Sequence, residues 1–173
     1  GATNEPYFGA PQPLPGRLNV EYYDKGGPNV AYRDTTAGQE TGSQFRSEQS
    51  VAIGSDADDS YNIAYTAQYE WLEYTVTVDS AGTYDIVGNY ANNSGTPGGP
   101  VQIEVDGEPT GEPFTVPVNG SWTDFEQSSL GSVDLPAGTH VIRLYLEGGG
   151  FNLDWLEFRA DGGDTAAPSA PAN

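Results

Sequence analysis

The segment Gly148-Gly-Gly-Phe-Asn-Leu-Asp-Trp-Leu-Glu-Phe158 carries two polar side chains, Asn152 and Asp154, inside an otherwise apolar run. Strict alternation along a strand puts both on the side of Leu156 and Phe158, and polar groups entering a core-facing row must find partners or cost stability. An amide suits the hydroxyls of a sugar, a carboxylate suits a hard metal ion, and backbone groups at a twisted strand end are the plainer partners for either. Aromatic residues extend the first possibility. Tyr65 follows Tyr61-Asn-Ile-Ala, and Trp122 lies in Asn119-Gly-Ser-Trp-Thr, polar surroundings without core periodicity. A ring exposed there offers a flat apolar face to the C–H patches of a pyranose, although rings at strand ends also form core edges. Asn19 and Glu21 extend the second possibility: two apart on one strand, they share a face that Asp154 reaches if the first and last strands pair, an oxygen set suited to calcium.

Other chemistries find less support in the residues. Glycoside hydrolysis needs two carboxyls across a cleft, and Glu70, Glu73, Glu147 and Glu157 are the acids near aromatic residues, none distinguished by its setting. Alternation turns Glu73 outward. His140, the single histidine, follows a turn and reads as a surface residue, and no serine-triad motif occurs. Asp56-Ala-Asp-Asp-Ser60 begins like an EF-hand loop, but Tyr61 stands where the glycine is required and Ala67 where the bidentate glutamate belongs. Asn92-Asn-Ser94 and Asn119-Gly-Ser121 match the pattern of glycosylation acceptors.

The elements that must position these residues are short β-like runs separated by Gly, Pro, Asn and Asp clusters, with no convincing amphipathic helix, so the spacing predicts an all-β fold. In Trp71-Leu-Glu-Tyr-Thr-Val-Thr-Val78, Leu72, Tyr74, Val76 and Val78 share one face. Val101, Ile103 and Val105 alternate before an Asp106-Gly107 turn, and Ile142, Leu144 and Leu146 alternate likewise. These are sandwich strands, and binding chemistry is expected in loops at one end. Residues 1–16 read as an extended, proline-rich lead-in, 17–160 as one β-sandwich domain, and 161–173 as a Pro/Ala/Gly linker of extracellular type.

Six Lys plus Arg against 25 Asp plus Glu give a formal net charge of -19, which repels phosphate backbones and anionic lipid surfaces. Nucleic acid and membrane are therefore not expected partners. The absence of cysteine removes disulfides, thiol catalysis and cysteine-held zinc.

The order and spacing of several runs resemble the family 6 carbohydrate-binding modules. They are Pro6-Tyr-Phe-Gly-Ala-Pro, Pro15-Gly-Arg-Leu-Asn-Val-Glu-Tyr-Tyr-Asp24, Gly26-Gly-Pro-Asn-Val-Ala-Tyr-Arg-Asp-Thr-Thr36, Phe45-Arg46, Tyr61-Asn-Ile-Ala-Tyr65, Glu70-Trp-Leu-Glu-Tyr74, Ala81-Gly-Thr-Tyr84 and the final Gly-Gly-Phe-Asn-Leu-Asp-Trp-Leu-Glu-Phe158. The resemblance implies a β-sandwich jelly roll without catalysis, secreted, monomeric, and covalently linked to a polysaccharide-degrading catalytic domain. It implies a loop cleft in which Tyr65 and Trp122 sandwich a terminal sugar while Asn152 bonds its hydroxyls. It also implies a structural calcium held by Asn19, Glu21, Asp154 and, less directly, a backbone carbonyl near Arg46, with Asn19 a departure from the family's more usual Gln or Glu. The long segment from Gly26 to Ser50 resembles modules attached to laminarinases and agarases, where Tyr32, Arg33 and Asp34 either extend the cleft wall or order the loop, the latter reading favoured. The expected ligand is the chain end of a β-1,3-glucan such as laminarin or of an agarose-type galactan. A small jelly-roll hydrolase or lyase and a protein-binding adhesion domain are the rival readings.

Overall fold

The computed structural model describes residues 3–35, 53–55, 61–64 and 66–160. The expected linker, 161–173, lies outside the described residues. The alternating apolar runs form two sheets. The first orders β1 (Gln12–Leu14), β6 (Trp71–Val78), β12 (Gly138–Leu146), β8 (Gly98–Val105) and β10 (Phe114–Val116), with β3 (Tyr32–Arg33) on β6 and β9 (Glu108–Pro109) on β8. The second orders β11 (Glu126–Leu135), β7 (Gly82–Ala91), β13 (Asn152–Ala160), β5 (Tyr61–Ile63) and β4 (Ile53–Ser55), and β2 (Gly16–Asn19) also pairs with β13.

Along β6, β8 and β12 the predicted faces are the faces found. Leu72, Tyr74, Val76 and Val78, together with Ile103, Ile142 and Leu144, meet Tyr84, Ile86, Tyr90, Leu156 and Phe158 of the other sheet in one buried cluster. Each such side chain contributes about 1.5–3 kcal/mol on leaving water. The Asp106-Gly107 turn has both residues at positive φ, 51° and 88°, the conformation a tight two-residue hairpin requires. His140 and Asp106 pair beside this turn, Nδ1 to Oδ2 at 2.6 Å, so the histidine is structural.

Two expectations are corrected by the packing and a third is refined. The lead-in is part of the sandwich: β1 runs parallel to β6, with Leu14 opposite Val78 and buried in the core. Tyr32, a candidate for the cleft wall, is 3% exposed and packs edge-on against Tyr23, centroids 5.5 Å apart, so its ring has no face to offer a ligand. Glu73 does turn outward yet is buried, because Asn4 Nδ2 donates to its Oε1 (2.7 Å) and Arg143 Nε to its Oε2 (2.7 Å).

Strict alternation along β13 also fails, at one position. Leu153 lies opposite Tyr90 of β7 and Trp155 opposite Asn89, so Asp154 is an inserted residue, a β-bulge. The core row is therefore Leu153, Leu156 and Phe158. Asn152 points away from it by alternation, and Trp155 is covered instead by Arg17, whose guanidinium carbon sits 3.8 Å from the ring centroid. At the same place β13 changes its neighbour on its other edge: Leu153 pairs with Ile63 of β5, whereas Trp155 pairs with Asn19 of β2.

Candidate functional site

At the start of β13, three loops meet at one end of the sandwich. The glycines of Gly148–Gly150 permit this by backbone contact: a Cβ on Gly148 would lie 2.2 Å from Gly99 O, and one on Gly149 would lie 2.0 Å from Thr66 O. Any side chain there would force the loops apart. Thr66 then fastens itself to the next residue, Oγ1 donating to Phe151 O (2.8 Å) and accepting from Phe151 N (3.1 Å). Asn152 follows. Tyr65, the expected first face of the cleft, lies outside the described residues, but its successor Thr66 is thus tied to the residue preceding Asn152.

On the other side stands the loop between β10 and β11, which carries Trp122 with 42% of its surface exposed. Asn152 Nδ2 donates to the backbone carbonyl of Trp122 at 3.0 Å, which ties the amide to the loop that carries the ring. The amide's second N–H and its oxygen remain for a ligand. Local bonds shape the loop: Thr123 N and Asp124 N both donate to Ser121 Oγ, at 3.0 and 2.8 Å, and Asn119 Nδ2 donates to Asp124 O at 2.8 Å. Beneath it lies Asn92, fully buried, whose Nδ2 donates to Thr96 O and Val116 O and whose Oδ1 accepts from Ser94 N and Ser94 Oγ. Its carbonyl holds Asn119 N and Gly120 N at 3.0 and 3.1 Å. Of the two glycosylation-like asparagines, Asn92 thus spends its amide nitrogen inside the fold, whereas Asn119 uses its own at the surface. The Asn92 hub escaped sequence analysis because its partners are backbone groups from several loops, and no spacing rule encodes them.

Asp34 and Arg33 line a small cavity with Ile63, Ala64, Thr66, Glu70, Trp71, Leu72 and Leu146; at about 20 Å³ it has room for one water, not a sugar ring. Glu70 sits there as a fastener, Oε2 accepting from Thr35 N (3.1 Å) and Oγ1 (3.3 Å), and Oε1 from Ala67 N (2.9 Å). Burial, reinforced by the hydrogen bond and charge of Asp34, pushes its carboxyl up to about 7. Asp34 therefore orders the loop. A pair in direct hydrogen bond is also too close for the spaced carboxyls of glycoside hydrolysis, roughly 5 Å apart or more.

Asp154, at the bulge of β13, and Glu21 are the acids expected to hold the metal. Asp154 and Glu21 are both buried, at 6% and 4% exposure. Glu21 lies in the single 3-10 turn Val20–Tyr22 that directly follows Asn19 and packs on β13 and β5. Asn89 Nδ2 donates to Asp154 Oδ2 at 2.9 Å. Among the described residues no three His, Cys, Asp or Glu side chains converge, so a cation here would rest on two carboxylates plus amide and carbonyl oxygens. Arg46 lies outside the described residues. One buried side-chain oxygen in this region, Asn62 Oδ1, has no hydrogen-bond partner. An all-oxygen set of this kind fits calcium.

Comparison with known proteins follows the same outline. The model of the family described as "Carbohydrate binding module (family 6)" matches residues 37–160. A β-agarase, AgaO of Microbulbifer thermotolerans, is 30% identical over 96 residues, 54% of this chain and 8% of that enzyme. The chain thus spans under a tenth of that curated relative. Among solved structures, the C-terminal family 6 module of LamC, a marine laminarinase of Zobellia galactanivorans, superposes with a TM-score of 0.61 at 22% identity, covering 81% of this chain and 94% of that one. A β-1,3-glucan-binding family 6 module of Bacillus halodurans superposes with a TM-score of 0.63 at 22% identity, covering 87% and 100%. At these identities the superpositions establish the fold. Among the described residues no helix is long and apolar enough to cross a membrane.

Proposed function

Because this chain belongs to the family 6 carbohydrate-binding modules, we propose that it is a non-catalytic module that binds the end of a β-1,3-glucan or agarose-type galactan chain. In this reading it holds an attached, secreted glycoside hydrolase on its substrate. The observation that carries this is the pairing of a half-exposed Trp122 with Asn152 through the tryptophan's own carbonyl. The ring supplies a stacking face, and the same residue's backbone fixes the amide that reads hydroxyl groups beside it. Tyr65 is assigned the opposing face. Binding at a chain end is the mode the family resemblance implies, and it is part of this proposal. The glucan and galactan classes are suggested by the laminarinase and agarase relatives.

Calcium belongs to the same proposal. Glu21, Asp154 and the Asn19 amide would hold it, and the bound ion would neutralise two buried carboxylates while tying the 3-10 turn to the bulge of β13. The test of function is affinity electrophoresis against soluble laminarin, agarose, xylan and cellulose derivatives, followed by titration with oligosaccharides of increasing length. Retardation on laminarin or agarose, with affinity that stops rising once the cleft is filled, is the expected result. Affinity that climbs steadily with chain length would replace chain-end binding with binding along the chain, and no retardation on any glycan would sink the reading.

A further inference from the structure

Asn62 is 3% exposed, and its side-chain oxygen Oδ1 accepts no hydrogen bond. A buried carbonyl left in that condition costs about 1–3 kcal/mol, and native structures rarely tolerate it without a ligand or a water. Its position narrows the choice. β5 runs antiparallel to β13 with Ile63 opposite Leu153, both side chains in the core. One step along each strand therefore brings Asn62 to the level of Asp154, and alternation turns Asn62 away from the core, toward the outer side of the sheet. There β13 bulges and exchanges β5 for β2, so the end of β2 at Asn19 and the turn bearing Glu21 close the same gap. Contacts of that turn with both β5 and β13 complete the enclosure.

We propose that the side-chain carbonyl of Asn62 is a ligand of the calcium ion held by Glu21 and Asp154. The inference rests on the calcium reading above and adds a donor to it. An amide oxygen is a hard, neutral donor that calcium accepts readily, and it adds no charge to a pocket that already holds two carboxylates. Ligation would also satisfy Asn62 Oδ1, which accepts no hydrogen bond. The burial of this residue, otherwise a liability, then becomes the means by which β5 is fastened to the junction.

Calorimetric titration of calcium chloride into the metal-stripped 173-residue chain tests this, using the wild type, Asn62→Leu and Asn62→Asp, with thermal melts in EDTA for each. The wild type is expected to bind one ion. Asn62→Leu should bind it at least tenfold more weakly while melting in EDTA no lower than the wild type, since it removes an unsatisfied polar group and little volume. Asn62→Asp restores an oxygen and adds charge, so it should bind at least as tightly as the wild type. Unchanged calcium affinity in Asn62→Leu would overturn the assignment and leave the calcium reading standing, the outcome expected if only a water serves Oδ1. If the leucine variant shows no cooperative melt, Asn62→Asp decides: weaker binding than wild type overturns the assignment, and equal or tighter binding supports it. A wild type that binds no calcium overturns the calcium reading itself, and this assignment with it.

Discussion

Asn92 shows how one buried side chain positions the loops above it. Its amide satisfies Ser94, Thr96 and Val116 at full burial, and its carbonyl carries the turn that presents Trp122. Replacing it by alanine strands the buried Val116 carbonyl, worth about 1–3 kcal/mol, and releases Ser94 N and Thr96 O at exposed positions. Asn92→Ala should therefore lower the unfolding free energy by about 1–3 kcal/mol in urea denaturation and weaken glycan binding as well. A loss below about 1 kcal/mol would show that the loop stands without it. Trp122 lies at the opposite extreme: exposed and outside the buried cluster, it should tolerate truncation with little cost to folding.

At the level of elements, the segment from Asp34 to Thr35 is tied to the Ala67–Glu70 loop by one carboxyl. Because the fold raises Glu70 to about 7, it favours the protonated form. The stability so gained is complete below the ordinary glutamate range and is lost as pH rises through about 7. Melting in EDTA from pH 5 to pH 8 should accordingly show the wild type falling relative to Glu70→Gln, whose amide keeps a donor for Asp34 at every pH. Parallel profiles would contradict the shared proton. Elements also mark where the sequence was readable. The faces of β6, β8 and β12 follow from period-two alternation, and they are found as read because each run is long and uninterrupted. β13 was not readable past Leu153, since a bulge reverses the faces and depends on what lies across the strand. The same nonlocality hid β1, whose prolines read as a lead-in but are tolerated at the sheet edge, and the burial of Tyr32 against Tyr23.

For the molecule as a whole, β13 is the shared support. Its first residue bonds to the loop carrying Trp122, and two residues later the bulge lies where β13 exchanges β5 for β2. Motif order made the family recognisable and singled out Trp122 and Asn152, whereas the bond between them, the glycine contacts and the Asn92 hub depend on loops distant in sequence. The central claim is that an exposed tryptophan on a preformed loop binds glycan without supporting the fold. Isothermal titration of laminarin and agarose oligosaccharides into the wild type and Trp122→Ala, each melted in parallel, tests it most directly. The account predicts heat of binding only from the wild type, with melting temperatures within about 2 °C of each other. Retained binding by Trp122→Ala, or its unfolding, would contradict it.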